Sequence, residues 1–151
     1  MRKQRGLPMV VIVAGALAGL VCPASAQTPS AAGAWRTIDD KTGLPRSTVI
    51  ISEQNGVYRG VVTKGLPGEQ AGKVCDKCTG ALANAPLIGL PLLTGLKRDG
   101  LSYSGGSLVD PDSGSVYNAK MTLSPDGQTL DVRGFIGVSL FGRSQTWIRE
   151  K

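Results

Sequence analysis

The stretch Val116-Tyr117-Asn118-Ala119-Lys120-Met121-Thr122-Leu123 puts Tyr117, Ala119, Met121 and Leu123 at alternate positions, with Asn118, Lys120 and Thr122 between them. A turn signal follows, Pro125-Asp126-Gly127. Beyond it Leu130, Val132, Gly134 and Ile136 alternate with Asp131, Arg133 and Phe135. A period of two is the signature of strands with one dry face and one wet face. Working outward, Ser144–Arg149 reads as a last strand. Upstream, the β-branched run Thr48-Val49-Ile50-Ile51-Ser52 meets Val57-Tyr58-Arg59-Gly60-Val61-Val62 across Asn55-Gly56. Asn-Gly between two such runs specifies a hairpin, because a type I′ turn needs two residues that tolerate positive φ. Further turns are signalled at Asp40-Lys41-Thr42-Gly43, Asp99-Gly100 and Pro111-Asp112-Ser113-Gly114. No long segment has helical periodicity. Residues 65–95, rich in Gly, Pro and Ala, break the β pattern and read as a long irregular excursion with room for one helical turn.

Seven or eight short strands at this spacing predict a barrel or a sandwich. The two ends of the pattern favour a barrel. Gly33-Ala34-Trp35 opens the first strand, and Trp147-Ile148-Arg149 closes the last. This resembles the lipocalin superfamily, in which a G-x-W on the first strand packs against an Arg from near the C-terminus. The resemblance implies a Trp closing the barrel floor with a guanidinium on its face. The fold expectation is therefore all-β: a single lipocalin-like antiparallel β-barrel of about 8 strands over residues 34–150, with a β-sandwich as the alternative.

The N-terminal residues point to export. Arg2, Lys3 and Arg5 precede an uncharged, mostly apolar run from Met9 to Val21, and Ala24-Ser25-Ala26 supplies small residues at a peptidase site. These are the three parts of a signal peptide. A spanning helix wants about 20 apolar residues, and this run is shorter, with Pro8 and Pro23 at its ends. Cleavage after residue 26 is expected, and residues 27–33 then form a flexible lead-in. Lipidation at Cys22 is the alternative, although Val21 is large for the residue before a lipidated cysteine. The leader holds three of the 17 basic residues and none of the 11 acids, so its loss halves the net charge of +6. No basic run of the kind that marks nucleic-acid binding remains. The periplasm or the exterior is the expected location, and the domain is read as not transmembrane.

Several segments in order resemble the exported bacterial proteins grouped as domain of unknown function 2147. They are Trp35-Arg36-Thr37-Ile38-Asp39-Asp40, Cys75-Asp76-Lys77-Cys78, Leu87-Ile88-Gly89-Leu90-Pro91-Leu92-Leu93, Gly105-Gly106 with Asp110-Pro111, and Val132-Arg133-Gly134-Phe135-Ile136-Gly137 running into Phe141-Gly142-Arg143-Ser144-Gln145-Thr146-Trp147. The match covers nearly all of residues 33–150. It implies a small envelope protein with a lipocalin-like β fold and carries no catalytic set.

The chain has no histidine. That removes Ser-His-Asp and Cys-His catalysis and the common zinc sites. Cys75 and Cys78 form a pair in a chain read as exported, which favours a local disulfide pinning a loop. Two alternatives stay open. Lys77 would favour a thiolate in a redox centre, and two sulfurs are half of a tetrahedral zinc set that a dimer could complete. Asp110-x-Asp112-x-Gly114 lacks the spacing and the bidentate Glu of a calcium loop and reads as a turn with Asx-type bonds. Arg133, Arg143 and Arg149 cluster with Phe135, Phe141 and Trp147 in the last twenty or so residues. Inward guanidiniums need acidic partners, with Asp39, Asp40 and Asp110 available, or they form an anion-binding pocket.

The combined expectation is a monomeric binding protein rather than an enzyme. It would hold a small apolar or amphipathic ligand, with Trp35, Tyr117, Arg133, Phe135, Arg143, Trp147 and Arg149 as candidate ligand contacts. An envelope protein partner is the alternative, and no metal or cofactor is expected.

Overall fold

The structure, a computed structural model, describes residues 28–65 and 72–151. The leader expected over residues 1–26, including Cys22, lies outside the described residues, as do Gln27 and residues 66–71 of the excursion. Eight strands make up the domain: β1 (Gly33–Ile38), β2 (Pro45–Gln54), β3 (Val57–Gly65), β4 (Pro91–Asp99), β5 (Ser102–Val109), β6 (Val116–Leu123), β7 (Thr129–Phe135) and β8 (Gly142–Arg149). Each pairs antiparallel with the next. Trp35↔Arg149 and Arg36↔Ile148 join β1 to β8, so the sheet closes into a barrel in sequence order and the sandwich alternative falls away.

The period-two pattern does its expected work. Ala119, Met121 and Leu123 on β6, and Leu130 and Val132 on β7, are buried, while Asn118, Thr122 and Asp131 are exposed. The Asn55-Gly56 hairpin joins β2 to β3 with φ of 53° and 78°. Two boundaries differ from the sequence reading. The excursion ends at Leu90, because Leu92, Leu93 and Leu96 are buried in the barrel as part of β4. Ile136 does not extend β7: the chain turns away at Gly137, and Ile136 is left 70% exposed. Among its described residues the irregular segment has one short 3₁₀ turn, Gly80–Leu82.

The alternation of connections gives the barrel two unlike ends. The tight turns at 55–56, 100–101 and 124–128 lie at one end with the start of β1 and the end of β8. The longer connections, 39–44, the described part (72–90) of the β3–β4 connection, 110–115 and 136–141, lie at the other.

The first end is shut. Residues 28–33, expected as a flexible lead-in, instead cross the barrel floor. Ala31 is fully buried, its N–H donates to Tyr103 Oη at 2.9 Å, and its carbonyl accepts from Trp35 Nε1 at 2.8 Å. Buried backbone must be paired, and two arginines supply the donors. Arg149 donates to the carbonyls of Ser30 (2.6 Å), Ala32 (3.0 Å) and Gly127 (2.6 Å), while its guanidinium carbon stands 4.2 Å from the Trp35 ring centroid. Arg98 donates to Pro29 O at 2.7 Å. Gly33 is the residue that permits the crossing, since a Cβ there would stand 2.6 Å from Arg149 Nη1.

Arg149→Met keeps most of the apolar stem but removes the stacked charge and three charge-assisted bonds. It should cost about 3 kcal/mol, and Arg149→Lys should recover less than half of that because an ammonium cannot span three acceptors. Urea unfolding of the three proteins measures both.

Candidate ligand cavity at the open end of the barrel

The opposite end holds a cavity of about 580 Å³. Its wall follows from strand alternation. On β8, Arg143, Gln145 and Trp147 project to the inside at successive depths, the first exposed at the mouth and the last fully buried at the floor. Trp147 Nε1 donates to Gln145 Oε1 at 3.3 Å, and Gln145 Nε2 donates to Asp40 Oδ1 at 2.8 Å, so the polar edge of the Trp is satisfied up the wall. Val62, Leu90, Leu92 and Val132 complete an apolar floor, and Leu108 and Tyr117 line one side. Thr37 and Ser47 face the space as a hydroxyl pair 2.8 Å apart.

The excursion covers part of this mouth. Its backbone is bonded internally, through Cys75 N to Ala85 O, Asn84 N to Cys75 O and Leu87 N to Lys73 O. The Cys75–Cys78 disulfide sits beneath it, packed with Val109, Leu82 and Leu87. Leu87 and Leu90 thereby reach the cavity. The β5–β6 turn clamps the segment from outside: a Cβ at Gly114 would fall 1.9 Å from Lys77 O, and Lys77 Nζ donates to Asp112 O at 2.9 Å. Within this turn Asp110 accepts from the N–H of Asp112 and the hydroxyl of Ser113. These are the Asx-type bonds read from the sequence.

Two ion pairs rim the mouth. Arg143 pairs with Asp40, joining β8 to the β1–β2 loop. Arg46 on β2 pairs with Asp112 across the opening and approaches Asp39 at 3.9 Å. The Arg46 bond holds the Asp112 carboxyl below its ordinary value against a partial desolvation cost. Asp39 is also lowered, first by the Thr42 N–H, then by the Thr42 hydroxyl and the Lys41 N–H.

Of the residues expected at the site, Tyr117, Arg143 and Trp147 line the cavity, with Phe135 at its rim. Three do not. Trp35 and Arg149 lie at the shut end, where they close the floor. Arg133 has the outward parity of β7 and donates to Ser139 O, Leu140 O and Ser144 Oγ. The acidic partner expected for an inward Arg is present as Asp40. Sequence reading missed Arg46 and Asp112, 66 positions apart, and the leucines contributed by the excursion. The only signal for the latter was the apolar Leu87–Leu93 segment.

A family model described as "Uncharacterized protein conserved in bacteria (DUF2147)" matches residues 33–149. Among solved structures, the fold is similar to that of protein HP1028 from the human pathogen Helicobacter pylori, described as belonging to the lipocalin family. The TM-score is 0.72 at 22% identity, over 82% of this chain and 85% of that one. No curated protein matches the chain.

Because the folded Asp112 titrates below its ordinary 3.8, its pairing contributes fully above that pH and is lost as the pH falls through the lower folded value. The stability of the wild type should therefore drop below about pH 4 more steeply than that of Asp112→Asn, as read by denaturant unfolding across an acid series. Cys75→Ser/Cys78→Ser should lower stability by roughly 2 kcal/mol from loop closure alone, in the same assay at neutral pH.

Proposed function

We propose, given that the chain belongs to the DUF2147 family of uncharacterized proteins conserved in bacteria, that it is an exported binding protein that holds a small apolar or amphipathic ligand in the open end of its barrel. The observation that carries this reading is the cavity itself: about 580 Å³, within the roughly 300–1,000 Å³ range of small-molecule sites. It is apolar at depth and polar at the mouth. An apolar body would lie against Leu92, Val132 and Trp147, and a polar head would meet Tyr117 and the Arg143–Asp40 and Arg46–Asp112 pairs. Both signs of charge at the rim suit a head group that donates and accepts.

Binding rather than catalysis is the reading favoured by the chemistry. The Asp40, Asp112, Arg46 and Arg143 groups at the rim are engaged with each other, Asp110 is held within its own turn, and both sulfurs are packed with Val109 and Leu87. Export rests on the basic, apolar and small-residue parts of residues 1–26.

Titration with a fluorescent long-chain fatty acid, followed by the directly excited emission of the probe, should give micromolar or tighter binding. Leu108→Trp, which fills the cavity from β5, should weaken it at least ~10-fold with the β-sheet circular dichroism unchanged. A wild-type protein that takes up no amphiphile, and carries no added mass in native mass spectrometry after purification from its own envelope, would overturn the reading.

A further inference from the structure

The β7–β8 connection, Ile136-Gly137-Val138-Ser139-Leu140-Phe141, stands beside the cavity mouth. Ile136, Val138, Leu140 and Phe141 are 70%, 61%, 79% and 71% exposed. Four large apolar side chains on six residues form a concentrated exposed patch, and such patches mark contact surfaces. Leu44 on the neighbouring β1–β2 loop is a further exposed apolar side chain at the same end.

The four carbonyls from Val138 to Phe141 all have protein donors. Phe141 N donates to Val138 O (3.1 Å), Arg133 Nε to Ser139 O (2.7 Å), Arg133 Nη2 to Leu140 O (3.1 Å) and Ile136 N to Phe141 O (3.3 Å). These bonds fix the shape of the tip and tie two of its carbonyls to Arg133.

Charge complements the apolar tip. Lys120 and Arg133 are directly opposed across β6 and β7, and Lys120 Nζ reaches Ser139 Oγ at 3.4 Å. Neither is in an ion pair among the described residues. Asp131, the nearest acid along the strand, accepts a bond from Thr146. No acid occurs between residues 132 and 149. Two adjacent cations at the base of an apolar tip repel each other until an anion sits between them. A second copy of this chain docking through the same patch about a two-fold axis would bring four such cations together.

We propose that the 136–141 tip docks the barrel mouth-down on an anionic phospholipid surface, with Val138, Leu140 and Phe141 entering the acyl boundary and Lys120 and Arg133 at the phosphate level. Docking there would set the cavity opening against the source of an amphipathic ligand. The proposal stands on the loop, and cavity occupancy is a separate question.

The test is vesicle co-sedimentation with the mature chain. Phosphatidylglycerol-containing vesicles should bind it, and pure phosphatidylcholine vesicles should bind it at least ~10-fold more weakly, a difference that high salt reduces. Val138→Ser/Leu140→Ser should lose at least ~10-fold in vesicle binding while keeping fatty-acid uptake, because neither residue lines the cavity. The emission of Leu140→Trp should shift to the blue on adding anionic vesicles and not on raising protein concentration alone. Absence of wild-type binding, equal binding by the double variant, or a blue shift that tracks self-association or a protein partner instead of lipid would each overturn the proposal.

Discussion

The contact between the Arg149 guanidinium and the Trp35 ring, with the carbonyls of Ser30, Ala32 and Gly127 around it, is the constraint on which the rest of the barrel depends. A closed sheet has no edges to protect, but it has two openings, and an opening into an apolar interior must be filled or used. Here one opening is filled by main chain. Main chain can be buried only when its polar groups are paired. A planar cation with five donors does this for three carbonyls at once while its face covers the indole. Ala31 contributes the remaining pairings with Tyr103 and Trp35. With that end closed, the unfilled space is displaced to the other.

The distinction between the ends was half legible in the sequence. The tight turns of the shut end announce themselves, because Asn55-Gly56, Asp99-Gly100 and Pro125-Asp126-Gly127 each have a backbone requirement that few residues meet. The barrel walls are legible for the same local reason, the period of two. Trp35 and Arg149 were recognised as partners, yet they were also counted among ligand contacts. Nothing in a linear pattern says which end of a strand faces the cavity. The lead-in looked loose for a related reason: small polar residues mean flexibility unless something distant bonds their carbonyls, and Arg149 is more than a hundred residues away.

The cavity mouth was less legible because strand ends and connections meet there. Arg46 and Asp112 are 66 residues apart, and only barrel closure brings the start of β2 and the β5–β6 turn face to face. Arg133 and Arg143 look alike in sequence, but β7 parity sends one outward to the loop carbonyls and β8 parity sends the other to the rim. Ile136 continues the alternation on paper and leaves the strand in fact, because the chain reverses at Gly137. Side-chain parity is reliable within a strand and fails at the residue where the strand ends. The rim of the cavity lies where strands end, so parity reads its walls and misreads its mouth.

The rim pairs bear on how such a mouth could admit a ligand. Asp40–Arg143 and Arg46–Asp112 tie the β1–β2 loop side of the opening to β8 and to the β5–β6 turn. The side chains concerned are 26–64% exposed, and exposed ion pairs contribute about 0–1 kcal/mol each. They orient the rim without locking it, so a polar head group could replace one partner at small cost and inherit its hydrogen bonds. The disulfide-braced segment on the other side is held differently, by buried Cys75, Cys78 and Val109 and by the close backbone approach at Gly114. One side of the mouth is thus fixed by burial and the other by exchangeable charge, so for the ligand proposed above the side of Asp40, Arg143 and the 136–141 tip is the one that can yield.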